Sequence, residues 1–161
     1  MILLDTSASS LNQQALNLTK GVIIGLGESI YSARQRLSLI QFGNNQVNTV
    51  CHHTRPPKNI QQKIDAITAG GGTPLRSALL HAQKQLKDIR KRHPNEWQSL
   101  YIFTDGRSQE PYTDINFASD TLVFIDTELN PISLARSQTM AQFFNAEYVR
   151  LTDIPLKDHP Y

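Results

Sequence analysis

The chain has 161 residues, 39% of them apolar, and carries 16 Lys and Arg against 14 Asp and Glu, for a net charge of +2. That is the size and composition of one globular domain, and a charge so close to neutral gives no general signal for nucleic acid. No apolar run approaches the roughly 18 residues of a membrane span. The start Met1-Ile2-Leu3-Leu4-Asp5 lacks the basic opening of a signal peptide, and the lone Cys51 excludes an internal disulfide framework. A cytoplasmic protein with no membrane partner is expected.

Ile2 to Leu4 reads as a short buried strand ending at Asp5. Leu11 to about Ala33 reads as a helix, because Leu11, Ala15, Leu18, Val22, Leu26 and Ile30 recur at spacings of three and four. Gly21, Gly25 and Gly27 lie inside it, each at a cost of about 1 kcal/mol relative to Ala, and close approach of the helix to a sheet is the expected compensation. Arg36 to Phe42 is a buried strand, Gly43-Asn44-Asn45 a turn, and Gln46 to about His52 an edge strand paired with it as a hairpin. Lys58 to Thr68 is a short helix with Ile60, Ile64 and Ile67 on one face. The loop Gly70-Gly71-Gly72-Thr73-Pro74 follows, and Pro74 suits the first turn of a helix from Leu75 to Arg92.

Lys84, Lys87, Arg90, Lys91 and Arg92 crowd the end of that helix, where cations complement the C-terminal dipole. Beyond Pro94, Leu100 to Thr104 is a strand ending at Asp105-Gly106, and Thr121 to Ile125 is another ending at Asp126. Ser133 to about Phe144 is a helix capped near Pro131 to Ser133, and Tyr148 to Leu151 is a last strand. Residues 1–151 thus form one domain, and 152–161 a polar, irregular tail. Alternating strands and helices imply an α/β fold: a Rossmann-like, open, mainly parallel sheet with one antiparallel edge strand and helices on both faces. Ligands of such sheets bind beyond the carboxyl ends of the strands, where Asp5, Asp105 and Asp126 lie.

Asp5-Thr6-Ser7-Ala8-Ser9 places a carboxylate and two hydroxyls at alternate positions after a buried strand, so that their oxygens converge in an extended turn. Thr73 adds a hydroxyl on the glycine-rich loop, and Asp105 a second carboxylate. Two carboxylates and three hydroxyls suit a hard ion such as Mg²⁺ or Mn²⁺, not zinc or copper. So few charged ligands leave a coordination position for a partner's carboxylate.

The ordered set Asp5-x-Ser7-x-Ser9, Thr73, Asp105 resembles the metal-ion-dependent adhesion site of von Willebrand factor A (integrin I) domains. Lys20-Gly21, Tyr31, Arg34, Ile40-Gln41-Phe42, Thr54-Arg55, Ala69 to Leu75 and Phe103 to Arg107 narrow the likeness. They are similar to the A domain of the magnesium chelatase D subunit, which itself resembles a cobaltochelatase component. The resemblance implies that Ser7 and Ser9 bind the ion directly and that Thr73 does so directly or through water. It implies that Asp5 and Asp105 act through water. It further implies a domain without catalytic activity of its own, docking on an AAA+ ATPase subunit and on the large tetrapyrrole-binding subunit that inserts the metal. Ala8 stands where the family usually has Gly. The AAA+-like domain and acidic linker that precede the family's A domain have no counterpart in these 161 residues, so the chain is read as a fragment or a free-standing paralogue.

Three further readings compete. A free-standing A domain serving a different AAA+ ATPase would use the same residues, and a structural A domain would bind partners without metal. A phosphatase-type hydrolase would use Asp5 as nucleophile, but the second aspartate it needs two residues on is Ser7 here. Arg55 and Arg107 are expected at the rim of the site, as contacts for an acidic partner. Cys51-His52-His53 invites a transition metal, but neighbouring strand residues face opposite ways, so edge-strand polar residues are the expectation. Asp126 reads as a turn residue.

Overall fold

A computed structural model describes residues 1–7, 13–130 and 134–155. Six strands, β1 (Ile2–Asp5), β2 (Leu37–Gly43), β3 (Gln46–Thr54), β4 (Ser99–Thr104), β5 (Thr121–Asp126) and β6 (Glu147–Arg150), form one sheet. Their order is β3-β2-β1-β4-β5-β6, parallel throughout except for the antiparallel β2–β3 hairpin. The helices are α1 (Gln13–Ser32), α2 (Ile60–Asp65), α3 (Leu75–Arg92) and α4 (Arg136–Phe143). The architecture is the mainly parallel α/β sheet with one antiparallel edge that the alternation of elements implies.

Period-two alternation sorts the strand side chains into two cores. Ile2, Leu4, Leu39, Phe103 and Ile125 face α1 and α2 and pack with Val22, Ile23, Ile60 and Ile64. Leu3, Ile40, Phe42, Ile102 and Phe124 face α3 and α4 and pack with Leu75, Leu79, Leu86 and Met140. Both faces are therefore covered, as parallel sheets require. No helix among the described residues is long and apolar enough to cross a membrane.

The differences from the sequence reading have local causes. The buried stripe of α1 is Ala15, Leu16, Thr19, Val22, Ile23 and Gly27, rotated from the expected one, and Leu18, Leu26 and Ile30 are only partly buried. The close approach at Gly27 is to α2 and not to the sheet, since a Cβ there would lie 3.9 Å from the Ile60 side chain, while Gly25 faces open space. Helix α2 stops at Asp65, yet Ile67 stays buried beyond it. Helix α4 begins only at Arg136, after Ala135 in the left-handed region at φ 52°, and the expected cap at Pro131 to Ser133 lies outside the described residues. Strand β6 ends at Arg150, one residue before the expected end, and Leu151–Asp153 turn into a 3₁₀ helix.

Arg90 is not simply solvated. It binds Asp120 at 2.5 Å and the carbonyl of Glu96 at 2.9 Å, and so ties the end of α3 to the approach to β5.

Gly43 closes β2 against the chain leaving β1. A Cβ there would lie 2.5 Å from Thr6 Oγ1 and 3.0 Å from the Thr6 carbonyl carbon. Gly43→Ala is expected to destabilise the fold by about 1–3 kcal/mol, the usual range for an overpacked site. A lowered urea midpoint at unchanged slope checks it.

Candidate metal centre

The strand order reverses between β1 and β4, which makes their carboxyl ends the switch point. The chain leaving β1 goes to α1 on one face. The chain leaving β4 places Tyr112, Ile115 and Phe117 on the other.

Three aspartates end the adjacent strands β1, β4 and β5, and each is at most 2% exposed. All three close the same turn. Ser7 N donates to Asp5 Oδ1, Arg107 N to Asp105 Oδ1 and Glu128 N to Asp126 Oδ1, each at 2.9 Å. The side chain thus supplies an acceptor where the ladder stops, and the backbone bends out of the sheet.

The second oxygens differ. Asp5 Oδ2 accepts from Thr104 Oγ1 at 2.7 Å, and Asp126 Oδ2 from the Tyr148 hydroxyl at 2.6 Å. Asp105 Oδ2 is buried and, among the described residues, accepts no hydrogen bond. It faces Arg107 Nε at 3.4 Å, while the same guanidinium donates to Glu128 Oε1 at 2.7 Å. Burial, with the nearby charge of Asp5 adding to it, pushes the Asp105 carboxyl up to about 6, against the opposing pull of the Arg107 amide and guanidinium. This is a carboxylate short of positive charge.

The glycine-rich loop is pinned beside these carboxylates by backbone bonds. Gly70 N donates to the Thr6 carbonyl at 2.9 Å, and Asn44 N to the Gly70 carbonyl at 2.8 Å. Gly71, at φ 59°, lies so close to Asn44 that a Cβ would collide with its side-chain oxygen and sit 2.5 Å from its Cα. Thr73 follows, half-buried, just before α3. Glu110 accepts from the Arg76 amide at 2.9 Å, and Arg76 grips Asp114 at 2.6 Å, which fixes the loop after β4 to the start of α3. Gly106, at φ 69°, lets that loop pass the α4 terminus, where a Cβ would be 2.6 Å from Ser137 N.

Asp5, Ser7, Thr73 and Asp105 therefore occupy neighbouring segments at one sheet edge, and Ser9 lies outside the described residues. The shortfall at Asp105 Oδ2 and the all-oxygen chemistry of the set fit a hard divalent cation. Both oxygens of the buried Asp5 carboxylate accept hydrogen bonds, from the Ser7 amide and from Thr104 Oγ1. Arg107 is at the rim but is occupied by Glu128 and Asp105.

Arg55 is not at this rim. Thr54 pairs with Leu37 at the start of β2, so Arg55 sits at the opposite edge, 4.6 Å over the Tyr31 ring. The hairpin reverses direction, and a strand-end reading that ignores the reversal puts Arg55 on the wrong side. Thr104, Glu128 and Tyr148 escaped the sequence reading, because their partners lie 21 to 99 residues away along the chain. His52 and His53 do diverge: His52 Nδ1 meets Gln85 Oε1 at 2.9 Å, whereas His53 approaches Glu96 at 3.1 Å.

Fold and strand-end aspartates together define an α/β domain with an acidic switch point. Residues 1–107 match the von Willebrand factor type A domain family, and the chain belongs to it. The magnesium-chelatase 67 kDa subunit of Chlorobaculum parvum is 25% identical over 176 aligned positions, covering 94% of this chain and 28% of that protein. The magnesium-chelatase 60 kDa subunit of Rhodobacter capsulatus is 29% identical over 92 positions, covering 57% of this chain and 16% of that protein. The chain thus spans less than a third of the length of these curated relatives. Among solved structures, the SpRpn10 VWA domain aligns with a TM-score of 0.61 at 17% identity, covering 99% of this chain and 88% of its own. Proximal thread matrix protein 1 of the mussel byssus, solved with a zinc-occupied MIDAS motif, aligns at 0.60 and 16% identity, covering 94% of this chain and 43% of its own. Both share the fold.

An acid whose pKa is higher folded than unfolded holds its proton more tightly when folded. Asp105 therefore adds stability as pH falls through about 6, and that stability is lost as pH rises through the same value. In chelator, the wild type is expected to gain stability relative to Asp105→Asn as pH drops from about 7.5 to about 5. Urea midpoints of the two proteins across that range check the sign.

Proposed function

We propose that this chain is a divalent-cation-dependent protein-interaction module, with Mg²⁺ as its resident ion and no catalytic activity of its own. Asp105 carries the reading: a buried carboxylate at the switch point, short of positive charge, beside Asp5 and Ser7 and the pinned loop bearing Thr73. Ser7, Ser9 and Thr73 would hold the ion through hydroxyl oxygens, and Asp5 and Asp105 would orient its waters. When bound, the ion supplies an open position for a partner's carboxylate.

The chain's own residues do the rest. Thr104 holds Asp5 in place, and the Asp105 turn bends the loop after β4 out of the sheet. Arg107, between Asp105 and Glu128, partly neutralises the rim and is positioned to meet an acidic partner group beside the ion. The relatives are magnesium-chelatase subunits, which supports a place in a chelatase-type complex. The partner proposed there is an AAA+ ATPase subunit, with the large tetrapyrrole-binding subunit as a second contact. The cytoplasm is the proposed compartment.

Mg²⁺ that binds only the folded chain raises its stability, by about 2.7 kcal/mol at 100-fold excess over Kd. The wild type is expected to melt higher with Mg²⁺, and Ser7→Ala/Asp105→Ala to lose that rise; differential scanning calorimetry reads both. With tagged chain in a lysate of its source organism, an AAA+ ATPase should be retained by wild type in Mg²⁺ and released by EDTA. Equal retention by the double variant would overturn the reading.

A further inference from the structure

The opposite edge of the sheet carries a second donor set, of different chemistry. His53 is the last residue but one of β3, His93 caps α3, and Glu96 lies three residues on, across the turn at Pro94 and Asn95. One ligand atom from each falls within 4.8 Å of the others. The His53 and His93 rings are 4.7 Å apart, and His53 Nε2 is 3.1 Å from Glu96 Oε2. That last contact is short without being a hydrogen bond. Both atoms are buried and, among the described residues, neither has a hydrogen-bond partner.

The backbone has been shaped to bring these groups together. Leu37 pairs with Thr54 and Leu39 with Cys51, so His52 and His53 together oppose Ser38 alone. Such a bulge re-aims a side chain. His53 sits at φ 42°, unusual for a residue with a Cβ, and its amide is held by Ser38 Oγ at 2.8 Å. On the other side, Glu96 N donates to the His93 carbonyl at 3.2 Å, and Arg90 clasps the Glu96 carbonyl at 2.9 Å. A plain surface ion pair does not call for two imidazoles, a bulge and a left-handed backbone.

We propose that His53, His93 and Glu96 form a transition-metal site for Zn²⁺, separate from the switch-point centre. Two imidazoles and a carboxylate are a zinc donor set with one position left open. Donors around tetrahedral zinc stand roughly 3.3 Å apart, given bond lengths near 2.0–2.1 Å. The His53–Glu96 pair already matches, and the rest of the set closes by roughly 1.5 Å, within reach of a side-chain rotation at partly exposed His93 and Glu96. His53 and Glu96 border a cavity of about 600 Å³ lined also by Arg36, Trp97 and Gln98. Arg36 opposes an added cation, and Glu96 offsets it. Imidazole ligands exclude Mg²⁺ from this edge.

The test loads the whole chain with Zn²⁺ in a Mg²⁺ buffer, removes free metal, and measures zinc per chain. In the Ser7→Ala/Asp105→Ala background, which lacks the switch-point ligands, a single zinc is expected, and none once His93→Ala/Glu96→Gln is added. Zinc retained equally after that addition, or absent from the Ser7→Ala/Asp105→Ala chain, overturns the proposal. The site does not rest on the proposed function, and either reading can fail alone. A second measurement needs no variant. On zinc addition to wild type, the ring-nitrogen resonances of His53 and His93 should shift while those of His81 stay put. Unmoved His53 and His93 resonances would be equally decisive against it.

Discussion

Buried negative charge at one sheet edge is the constraint that the upper half of this molecule answers to. Asp5, Asp105 and Asp126 end neighbouring strands at 2% exposure or less. Carboxylates in such places must be hydrogen-bonded or neutralised. The chain meets the first requirement three times in one way, with the amide two residues on closing a turn at 2.9 Å. That turn also settles where each loop departs, so a local electrostatic need sets the loop directions. The second oxygens of the flanking aspartates find hydroxyls in Thr104 and Tyr148. The middle strand of the three leaves Asp105 Oδ2 without one, and the shortfall falls at the switch point itself.

The donor set comes from three separate segments, and its precision depends on how they are tied. The glycine-rich loop looks flexible in composition but is fixed in place. Its Gly70 bonds to Thr6, and the hairpin turn at Asn44 and Asn45 bonds back to Gly70 and Gly72. Asn44 and Asn45 hold left-handed backbones at φ 50° and 57°, the conformation a tight two-residue hairpin needs. A Cβ at Gly72 would lie 2.5 Å from Asn45 Oδ1, so the loop runs close against the hairpin turn. Loops preorganised in this way lose little entropy when a ligand binds, which favours binding.

Much of this was legible in the sequence because it depends on short-range pattern. A buried run stopped by an aspartate reads as a strand end, and alternation reads as two faces. The turn at Asn44-Asn45 and the helix from Leu75 to Arg92 are equally local signals. What escaped is non-local. Nothing near Asp5 announces Thr104, and nothing near Arg107 announces Glu128. The rotated stripe of α1 follows from its contact with α2 through Gly27 and Ile60, a tertiary effect that helical spacing does not carry. Arg55 was misplaced because a hairpin inverts the sense of a strand end. The bulge opposite Ser38 likewise changes where His53 points without altering the composition around it.

The two edges of the sheet differ in chemistry as well as position. At the carboxyl ends of the parallel strands the donors are carboxylates and hydroxyls, the ligands of hard cations. At the amino ends the cluster contains two imidazoles, which favour zinc and its neighbours. A cell holds both kinds of ion at once, and raw affinity would let a transition metal displace magnesium from many oxygen sites. The donors are thus sorted by softness onto opposite ends of the sheet, oxygen alone at one and imidazole with carboxylate at the other. The β2–β3 hairpin spans the distance between them, with Asn44 and Asn45 against the glycine loop at one end and His53 at the other. Its bulges adjust register along the way, so the edge strand meets a different geometric demand at each end.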